Sequence, residues 1–510
     1  MISVEWMPPL MFAGLIVFML IGFPVAFSLM AAGLFFGVIA ISQGFFDLVF
    51  LQAIPQRIFG GVLANDLLLA IPFFTFMGAI LERCGLAEEI LESMSQLFGR
   101  IRGGLGYSVI IVGFVLGAIT GTVAAQVIAM AMISLPIMIR YGYNMRYATG
   151  VLAASGTITQ LVPPSLVLIV LADQLKTQTG SADVGNMYLG AWGPSLIQIG
   201  LFALYTFVLT RLKPDWLPAA PLSDVQTNGW VLWKKCLLGI IPSAVLIFLV
   251  LGTILLGIAT PTESGAMGAM GALLLAWLRR SKIANLKKQI TESYQNTMRL
   301  TSMVIFILIG STCFSVVFQG VDGGVWVEHL FANIPGGWIG FLIVVNILVF
   351  FLAFFLDFFE IAFIIVPLLA PVAEKMLAPV LLGAMDGNLQ AAGNAALVWF
   401  GVMLCVNMQT SFMHPPFGFA LFYLRGVAPK EVKSSDIYWG ALPWVGLQLI
   451  MVGLVIAFPA LVTTFLDKPP PVAINSEFDF TSGQSGEGGK ASPKADENAP
   501  VRFELEKPSR

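Results

Sequence analysis

Charged residues are scarce in this 510-residue chain. Aspartate, glutamate, lysine and arginine make up 11% of it, whereas hydrophobic residues make up 57% and the mean hydropathy is +0.87. Such a composition excludes a soluble globular protein. A helix that spans a bilayer needs about 20 apolar residues, and we count roughly ten to twelve such runs, some of them arranged as hairpins. The composition therefore predicts an all-α polytopic membrane protein.

Histidine and cysteine are also scarce. The chain has two histidines, His329 and His414, and four scattered cysteines without a CxxC pair. A disulfide framework and a cysteine metal site are therefore not expected. The sequence also lacks HExxH, GxSxG and any multi-carboxylate cluster, so a membrane-embedded enzyme is only a remote alternative. We expect no enzyme activity, no cofactor and no nucleic-acid partner.

Two double prolines interrupt apolar helical segments. The first, Pro163 and Pro164, follows a run that begins near Thr157, and the second, Pro415 and Pro416, follows a run of small polar residues. Proline removes a backbone donor and clashes with the preceding turn, so each pair must break a helix. Breaks at membrane depth are tolerated only where they are buried in protein or line a cavity. Two of them in corresponding halves indicate a secondary transporter with an internal repeat.

The order of features divides the chain into five segments. These are N-terminal scaffold spans (1–61), a first repeat with associated spans (62–278), a connector (279–299), a second repeat (300–466) and a tail (467–510). The connector holds six lysines and arginines against one acid, which predicts that it is cytoplasmic. The tail is rich in Pro, Gly, Ser, Lys and Glu, and we expect it to be disordered.

Each repeat is expected to hold a re-entrant hairpin followed by a broken helix. In the first, two apolar runs of marginal length for a transmembrane helix flank a small polar tip near residue 120. The break lies at 157–165. In the second, the tip lies near Asp357 and the break at 409–418. The similarity of the halves is one of pattern rather than of residue identity.

The first tip and the first break carry oxygen ligands suited to Na⁺. Hydroxyls and exposed carbonyls are the donors that this hard cation takes, and the C-terminal end of a half-helix adds a negative dipole. The alternative is that small residues at these places only allow close helix packing. The candidate ligands are Thr120, Gly121, Thr122, Ser155, Gly156 and Thr157.

Asp357 and Glu360 are isolated carboxylates at the second tip, in an otherwise uncharged stretch from 338 to 373. A carboxylate at membrane depth is costly and is a functional hypothesis by default. Asp357 is expected either to ligate Na⁺ or to cap the half-helix that follows it. Glu360 is a candidate for proton coupling or for pairing with His414, and His414 is equally well explained as a hydrogen-bonded core residue.

Substrate contacts are expected where the breaks expose half-helix N-termini. Such ends present positive dipole and free amides, which favours a carboxylate-bearing solute. Ser165 and Gly418 begin these half-helices, and no lysine or arginine lies in either motif. The candidate substrate-binding residues are Gln160, Pro163, Pro164, Ser165, His414, Pro415, Pro416 and Gly418.

Three motifs resemble one known family. Gly257 to Gly265 is similar to its GIATPTE signature, Ala118 to Thr122 to its GITGS tip, and Ala154 to Ser165 to its SSTIGxxIPPS pattern. From about residue 10 to 465 the chain resembles the large membrane subunit of tripartite ATP-independent periplasmic (TRAP) transporters. The resemblance implies an elevator-type carrier with two inverted repeats in the bacterial inner membrane, driven by a Na⁺ gradient.

The resemblance also implies partners and sites. A secreted periplasmic substrate-binding protein would deliver a small organic acid, and a four-helix membrane subunit would scaffold this chain in the lipid bilayer. One Na⁺ site would lie at the first tip and break, and Asp357, Gln409 and Thr410 would lie at or beside a second. The chain departs from the family pattern at Gln126, where an aspartate is usual, and around Asp357 and His414. These features resemble the branch labelled for mannitol or chloroaromatic compounds.

Other functions remain open at this point. The nearest rival is a stand-alone elevator carrier for organic anions, coupled to Na⁺ or H⁺, which would transport without a binding protein. A non-transporting scaffold subunit is a third class, and it would not need broken helices. The sequence does not name the solute, and the choice between Na⁺ and H⁺ stays open because of Glu360 and His414.

Overall fold

A computed structural model describes most of the chain. The described residues are 3–219, 229–281, 283, 285–332, 334–415 and 418–466. Apart from one isolated antiparallel bridge between Lys176 and Ser181, the regular structure in these ranges is entirely helical. Pro416 and the predicted tail, 467–510, lie outside the described residues.

The N-terminal part forms two apolar helices, and a bent pair of helical segments, Leu48–Leu63 and Asp66–Arg83, follows them. The apolar run from 10 to 42, within the predicted scaffold spans, forms two helices because Gly22 turns the backbone with a φ of +94° and Pro24 precedes the second helix. The helices here are α1 (Met7–Leu20), α2 (Val25–Gln43), α3 (Ala53–Ile58), α4 (Ala70–Arg83) and α5 (Leu86–Phe98).

The first hairpin and the first broken helix form as the sequence predicts. Gly121 makes the hairpin turn with a φ of +63°, a conformation that favours glycine. The first half continues with α6 (Gly104–Thr120), α7 (Val123–Arg140), α8 (Met145–Thr157), α9 (Leu166–Gln174) and α10 (Val184–Leu212).

The connector between the halves is largely helical. The predicted boundary at residues 299 and 300 lies inside one continuous helix that Asn285 caps, because neither proline nor glycine occurs between Leu286 and Ile309. A capping box of Thr260 and Glu263 begins the helix before it. The helices are α11 (Gly229–Leu255), α12 (Pro261–Leu278) and α13 (Leu286–Gly320).

The second half repeats the order of hairpin and broken helix, with one difference. Its returning hairpin arm is divided at Ile365 and bent by 61°, whereas the corresponding arm of the first half is a single helix. Its helices are α14 (Gly323–Ala332), α15 (Gly337–Leu352), α16 (Phe358–Ile364), α17 (Val366–Leu381), α18 (Leu389–Met408), α19 (Phe419–Val427), α20 (Ser434–Ala457) and α21 (Ala460–Thr463).

The helices agree with the expected ten to twelve apolar runs, some of them in hairpins. By length and composition, the described part of the chain has six helices able to cross a membrane, or up to eight if each bent pair is one span. Four further apolar helices are only 10–17 residues long. The hairpin arm α7 is among the six, whereas α6 and α15 are among the short helices.

Glycines hold α8 against α20. The two helices run side by side, and a Cβ at Gly150 would lie 2.3 Å from the carbonyl oxygen of Gly440. A Cβ at Gly440 would lie 2.2 Å from the carbonyl oxygen of Arg146. At one end of the pair Arg146 contacts Asp436, with 3.3 Å between Nε and Oδ1. The pairing therefore fixes which α20 residues face the first break.

We predict that Gly440→Ala destabilises the protein while Gly446→Ala does not. The new methyl at 440 has no room and should cost about 1–3 kcal/mol. Gly446 lies on the same helix with nothing within 4 Å of its virtual Cβ, so alanine there should be neutral or slightly stabilising. Thermal unfolding midpoints in detergent measure both variants, and equal midpoints would contradict this packing.

Candidate functional site

The first helix break is closed by its own side chains. After α8 a short 3₁₀ turn leads to the double proline, and Ser165 caps α9 by accepting the N–H of Val167 at 3.1 Å. The Ser165 hydroxyl donates to the carbonyl of Gln160, which also accepts from the Sγ of Cys405 at 3.2 Å. Ser165 is buried and its hydroxyl is used in the cap. Its predicted substrate contact would therefore have to come from the backbone amides of α9.

The first hairpin packs directly on this break. A Cβ at Gly113 would lie 2.7 Å from the Cβ of Ser155, and one at Gly117 would lie 3.2 Å from the Cα of Thr159. On the other arm, a Cβ at Gly156 would lie 2.2 Å from a methyl of Val127. The predicted ligands Ser155 and Gly156 are thus enclosed by both hairpin arms.

Gln126 joins the hairpin to the broken helix. Its Nε2 donates to the carbonyl of Gly113 at 2.6 Å and to that of Ser155 at 3.0 Å, and its Oε1 accepts from the hydroxyl of Thr159. The resemblance led us to expect an aspartate here. An amide can donate to two carbonyls, whereas a carboxylate only accepts, so glutamine suits this position.

A small cavity separates the first tip from α4. It has a volume of about 10 Å³ and is bordered by Gly121, Pro164 and Leu166 on one side and by Phe74, Thr75 and Met77 on the other. The hydroxyl of Thr75 is buried and has no hydrogen-bond partner in the described ranges. Thr75 is a candidate ligand that sequence reasoning missed. The side chain of Thr120, a predicted ligand, is not among those described, whereas Thr122 is half-buried before α7.

At the second break, two side-chain hydroxyls donate to backbone carbonyls of the same segment. Thr410 donates to the carbonyl of Asn407 at 2.7 Å, and Ser411 donates to that of Met408 at 2.7 Å. Each hydroxyl retains its acceptor lone pairs. Gly418 begins the next half-helix, and its N–H donates to the carbonyl of His414 at 2.6 Å. A Cβ at Gly418 would lie 2.5 Å from a backbone oxygen, so only glycine fits.

Two buried asparagines join the second hairpin to the second broken helix. The Nδ2 of Asn407 on α18 donates to the carbonyl of Asn346 on α15 at 2.8 Å and to its side-chain oxygen at 2.9 Å. Asn346 also donates to the carbonyl of Leu342 at 2.7 Å. Sequence reasoning missed this pair, although single amides within apolar helices are a signal for interhelical hydrogen bonds.

Asp357 and Glu360 form a reciprocal capping box at the second tip. Asp357 Oδ1 accepts the N–H of Glu360 at 2.9 Å, and Glu360 Oε2 accepts the N–H of Asp357 at 3.0 Å. The predicted capping role of Asp357 is therefore present, and the capped carboxylate keeps oxygens for an ion. The suggested pairing of Glu360 with His414 is wrong, because the Glu360 carboxylate turns back to the tip.

His414 packs among aromatic rings. Its imidazole stacks on Phe354 with a centroid distance of 4.0 Å and an interplanar angle of 11°, and it meets the edge of Phe350 at 4.5 Å. The ring is buried. The aromatic contacts place His414 in the core, but neither ring nitrogen has a hydrogen-bond partner among the described residues, so the expected hydrogen-bonded core residue is only partly present.

A larger cavity lies between the second tip and the second break. It has a volume of about 550 Å³, and aromatic rings make up much of its wall. Its lining residues are Ala353, Phe354, Phe355, Leu356, Ser411, Phe419, Phe422 and Tyr423. Leu356 and Ser411 in this lining are the chain neighbours of the predicted ligands Asp357 and Thr410. Among the described residues, the predicted substrate segments thus border two separate cavities.

The two breaks meet at one residue of α20. The Nε2 of Gln448 donates to the hydroxyl of Thr157 at 3.0 Å and lies 3.5 Å from the Oε1 of Gln409. Met413 Sδ lies 3.6 Å from the same nitrogen. Sequence reasoning missed Gln448, and the signal for it was a lone amide within the final apolar span.

The described residues offer oxygens rather than a transition-metal site. No group of three or more His, Cys, Asp or Glu side chains suited to a metal occurs in the part of the chain that the structure covers. The predicted sites instead combine hydroxyls, amides, carbonyls and the Asp357 carboxylate, which are ligands for a hard monovalent cation.

Comparisons with known proteins agree with this architecture. The chain is 27% identical to the C4-dicarboxylate TRAP transporter large permease protein DctM of Rhodobacter capsulatus, over 89% of this chain and 97% of that protein. It is 26% identical to the sialic acid TRAP transporter large permease protein SiaM of Vibrio cholerae, over 86% of this chain and 93% of that protein. These relatives are named as permeases, so the chain is a transporter subunit and not an enzyme.

A solved structure has a similar fold. The crystal structure of the Alcanivorax borkumensis YdaH transporter matches with a TM-score of 0.54 and 14% identity, covering 81% of this chain and 90% of that one. The family model for the DctM component of tripartite ATP-independent periplasmic transporters matches residues 12–461. The chain therefore belongs to the DctM family of TRAP transporter large permease subunits.

Proposed function

We propose that this subunit uses a Na⁺ gradient to carry a small carboxylate-bearing solute across the bacterial inner membrane. The observation that carries the proposal is the meeting of both helix breaks at Gln448, each with a hairpin tip opposite it. Broken helices that face each other near the middle of the fold are the usual place for substrate and coupling-ion sites in secondary transporters.

The first Na⁺ site would be formed by the first tip and break. Thr157 ends α8, so an ion bound beside it would also gain from the negative end of that helix. Its buried hydroxyl donates to the carbonyl of Ala154 at 2.9 Å and accepts from Gln448. One lone pair then remains for an ion. Ser155, whose hydroxyl is buried without a partner among the described residues, lies two residues earlier on α8, against the hairpin residue Gly113.

The second Na⁺ site would be formed by Asp357, Gln409 and Thr410. The carboxylate of Asp357 is half-buried at the tip, and no described basic side chain forms an ion pair with it or with Glu360. An unpaired intramembrane carboxylate is expensive, and a bound cation would offset that cost. Proton coupling through Glu360 is the alternative for this site.

The solute would be an organic acid held by half-helix dipoles and bound Na⁺. The half-helices α9 and α19 begin at the two breaks and direct their N-terminal amides toward them. The named solutes of the relatives, C4-dicarboxylate, sialic acid, 2,3-diketo-L-gulonate and isethionate, are all organic anions. Assignment to the mannitol or chloroaromatic branch stays a prediction.

Family membership supports the predicted partners and mechanism. A periplasmic substrate-binding protein would deliver the solute, and a small four-helix membrane subunit would brace this chain. We further propose that the hairpins and broken helices move together as an elevator against the remaining spans, with the basic segment before α13 on the cytoplasmic side.

Transport assays with the purified chain and its small subunit in proteoliposomes test this function. Uptake of labelled organic acids should require both an inward Na⁺ gradient and the binding protein. Na⁺-driven uptake without the binding protein would indicate a stand-alone carrier instead. Uptake driven by a pH gradient alone would contradict Na⁺ coupling and direct attention to Glu360.

We predict that Thr157→Val raises the Na⁺ concentration for half-maximal uptake about tenfold, which corresponds to ~1.4 kcal/mol. Valine keeps the side-chain shape and removes the oxygen. Thr297→Val on α13 is the matched control, because Thr297 is also buried and donates to a backbone carbonyl, at 2.9 Å, but lies away from both breaks. An unchanged Na⁺ activation curve for Thr157→Val would count against the first site.

We predict that Asp357→Asn abolishes Na⁺-driven uptake while the protein still folds. Asparagine caps helices as well as aspartate does, so the tip survives and only the charge is lost. Asp183→Asn, at the exposed cap of α10, is the control and should transport normally. Size-exclusion profiles and uptake measure both variants, and normal uptake by Asp357→Asn would show that this carboxylate is structural.

A further inference from the structure

Gln448 is buried at the junction of the two breaks. Its side chain is fully shielded from solvent, and one nitrogen approaches a predicted ligand of each site, Thr157 and Gln409. Its Oε1 has no hydrogen-bond partner within the described ranges. It belongs to neither hairpin and to neither broken helix, because it lies on α20.

The position of Gln448 is fixed by the packing of α20 on α8. Gly150 and Gly440 bring the two backbones into contact, and Thr149 adds a hydrogen bond from its hydroxyl to the carbonyl of Asp436 at 3.2 Å. Trp444, one turn before Gln448, is buried against Tyr205 and Phe202. This packing holds the backbone of α20 that carries the amide against α8, beside the first break.

The donors and acceptors around the Gln448 amide define its role. A hydroxyl has one hydrogen and two lone pairs, and an amide nitrogen has two hydrogens. Thr157 directs its hydrogen to Ala154, so the N–H of Gln448 occupies one lone pair and determines where the other points. The second N–H of Gln448 has two acceptors in reach, Gln409 Oε1 at 3.5 Å and Met413 Sδ at 3.6 Å, and the oxygen is the stronger acceptor. The Nε2 of Gln409 lacks a partner among the described residues.

We infer that Gln448 is a positioning residue that couples the two ion sites. An ion that draws on the Thr157 oxygen reorients the amide, and the amide in turn orients the oxygen of Gln409. Occupation of the first site thereby prepares the second. The inference rests on the proposed function, since it assumes that these oxygens bind Na⁺.

Na⁺ activation of uptake, measured in proteoliposomes for wild type and Gln448→Leu, tests the coupling. We expect the half-maximal Na⁺ concentration to rise by about 5- to 150-fold, the usual range for coupled sites, and the Hill coefficient to fall toward about one. Gln198→Leu is the matched control. Gln198 is a fully buried glutamine on α10 whose amide atoms have no partner in the described part of the chain. It should keep wild-type values.

A double-mutant cycle separates positioning from general packing. If Gln448 acts through Thr157, the effects of Gln448→Leu and Thr157→Val on the Na⁺ constant should be less than additive. If Gln448→Leu does not assemble, Gln448→Met keeps a similar length without donors and is judged by the same criteria.

A raised Na⁺ concentration for half-maximal uptake, a lower Hill coefficient and a non-additive double-mutant cycle support the coupling role of Gln448, provided that Gln198→Leu keeps wild-type values. A change in maximal rate alone, an additive cycle or an equal effect of Gln198→Leu would overturn it. A wild-type protein whose uptake ignores Na⁺ would instead refute the proposed function, and that measurement comes first.

Discussion

Broken helices in a bilayer expose backbone amides and carbonyls that lipid cannot hydrogen-bond, and the structure depends on how these groups are satisfied. At the first break, Ser165 and Cys405 donate to the carbonyl of Gln160, and Gln126 donates to that of Ser155. At the second break, Thr410 and the turn from His414 to Gly418 serve the same need. The re-entrant hairpins cover both breaks from opposite sides. The hydrogen bonds that satisfy the broken backbone therefore also position the oxygens at the two breaks.

The two repeats meet this constraint with different chemistry. The first uses glycine contacts and the amide of Gln126, which leaves little space at its tip. The second uses the Asn346 and Asn407 pair together with aromatic rings, and it leaves a cavity of about 550 Å³. We propose that the small first cavity holds an ion and that the larger aromatic one holds part of an organic solute. Leu356, which precedes Asp357 in the chain, lines the larger cavity.

The sequence was sufficient for features that depend on local chemistry. The double prolines predicted both breaks, and the small polar tip near residue 120 predicted the first turn at Gly121. Features that depend on tertiary contact were missed. Gln448 is a single amide in an apolar span, and only the packing of α20 on α8 shows which oxygens it meets. For the same reason the sequence suggested a pairing of Glu360 with His414. In the structure the Glu360 carboxylate instead accepts the backbone N–H of Asp357.

We propose that the tips and breaks together form two Na⁺ sites. Equilibrium binding of radioactive Na⁺ to the purified chain with its small subunit is the first measurement to make, because it depends on neither the solute nor the binding protein. Saturable, cooperative binding of about two ions per chain is expected. Binding that does not saturate, or that saturates with no cooperativity at a single ion, would contradict it.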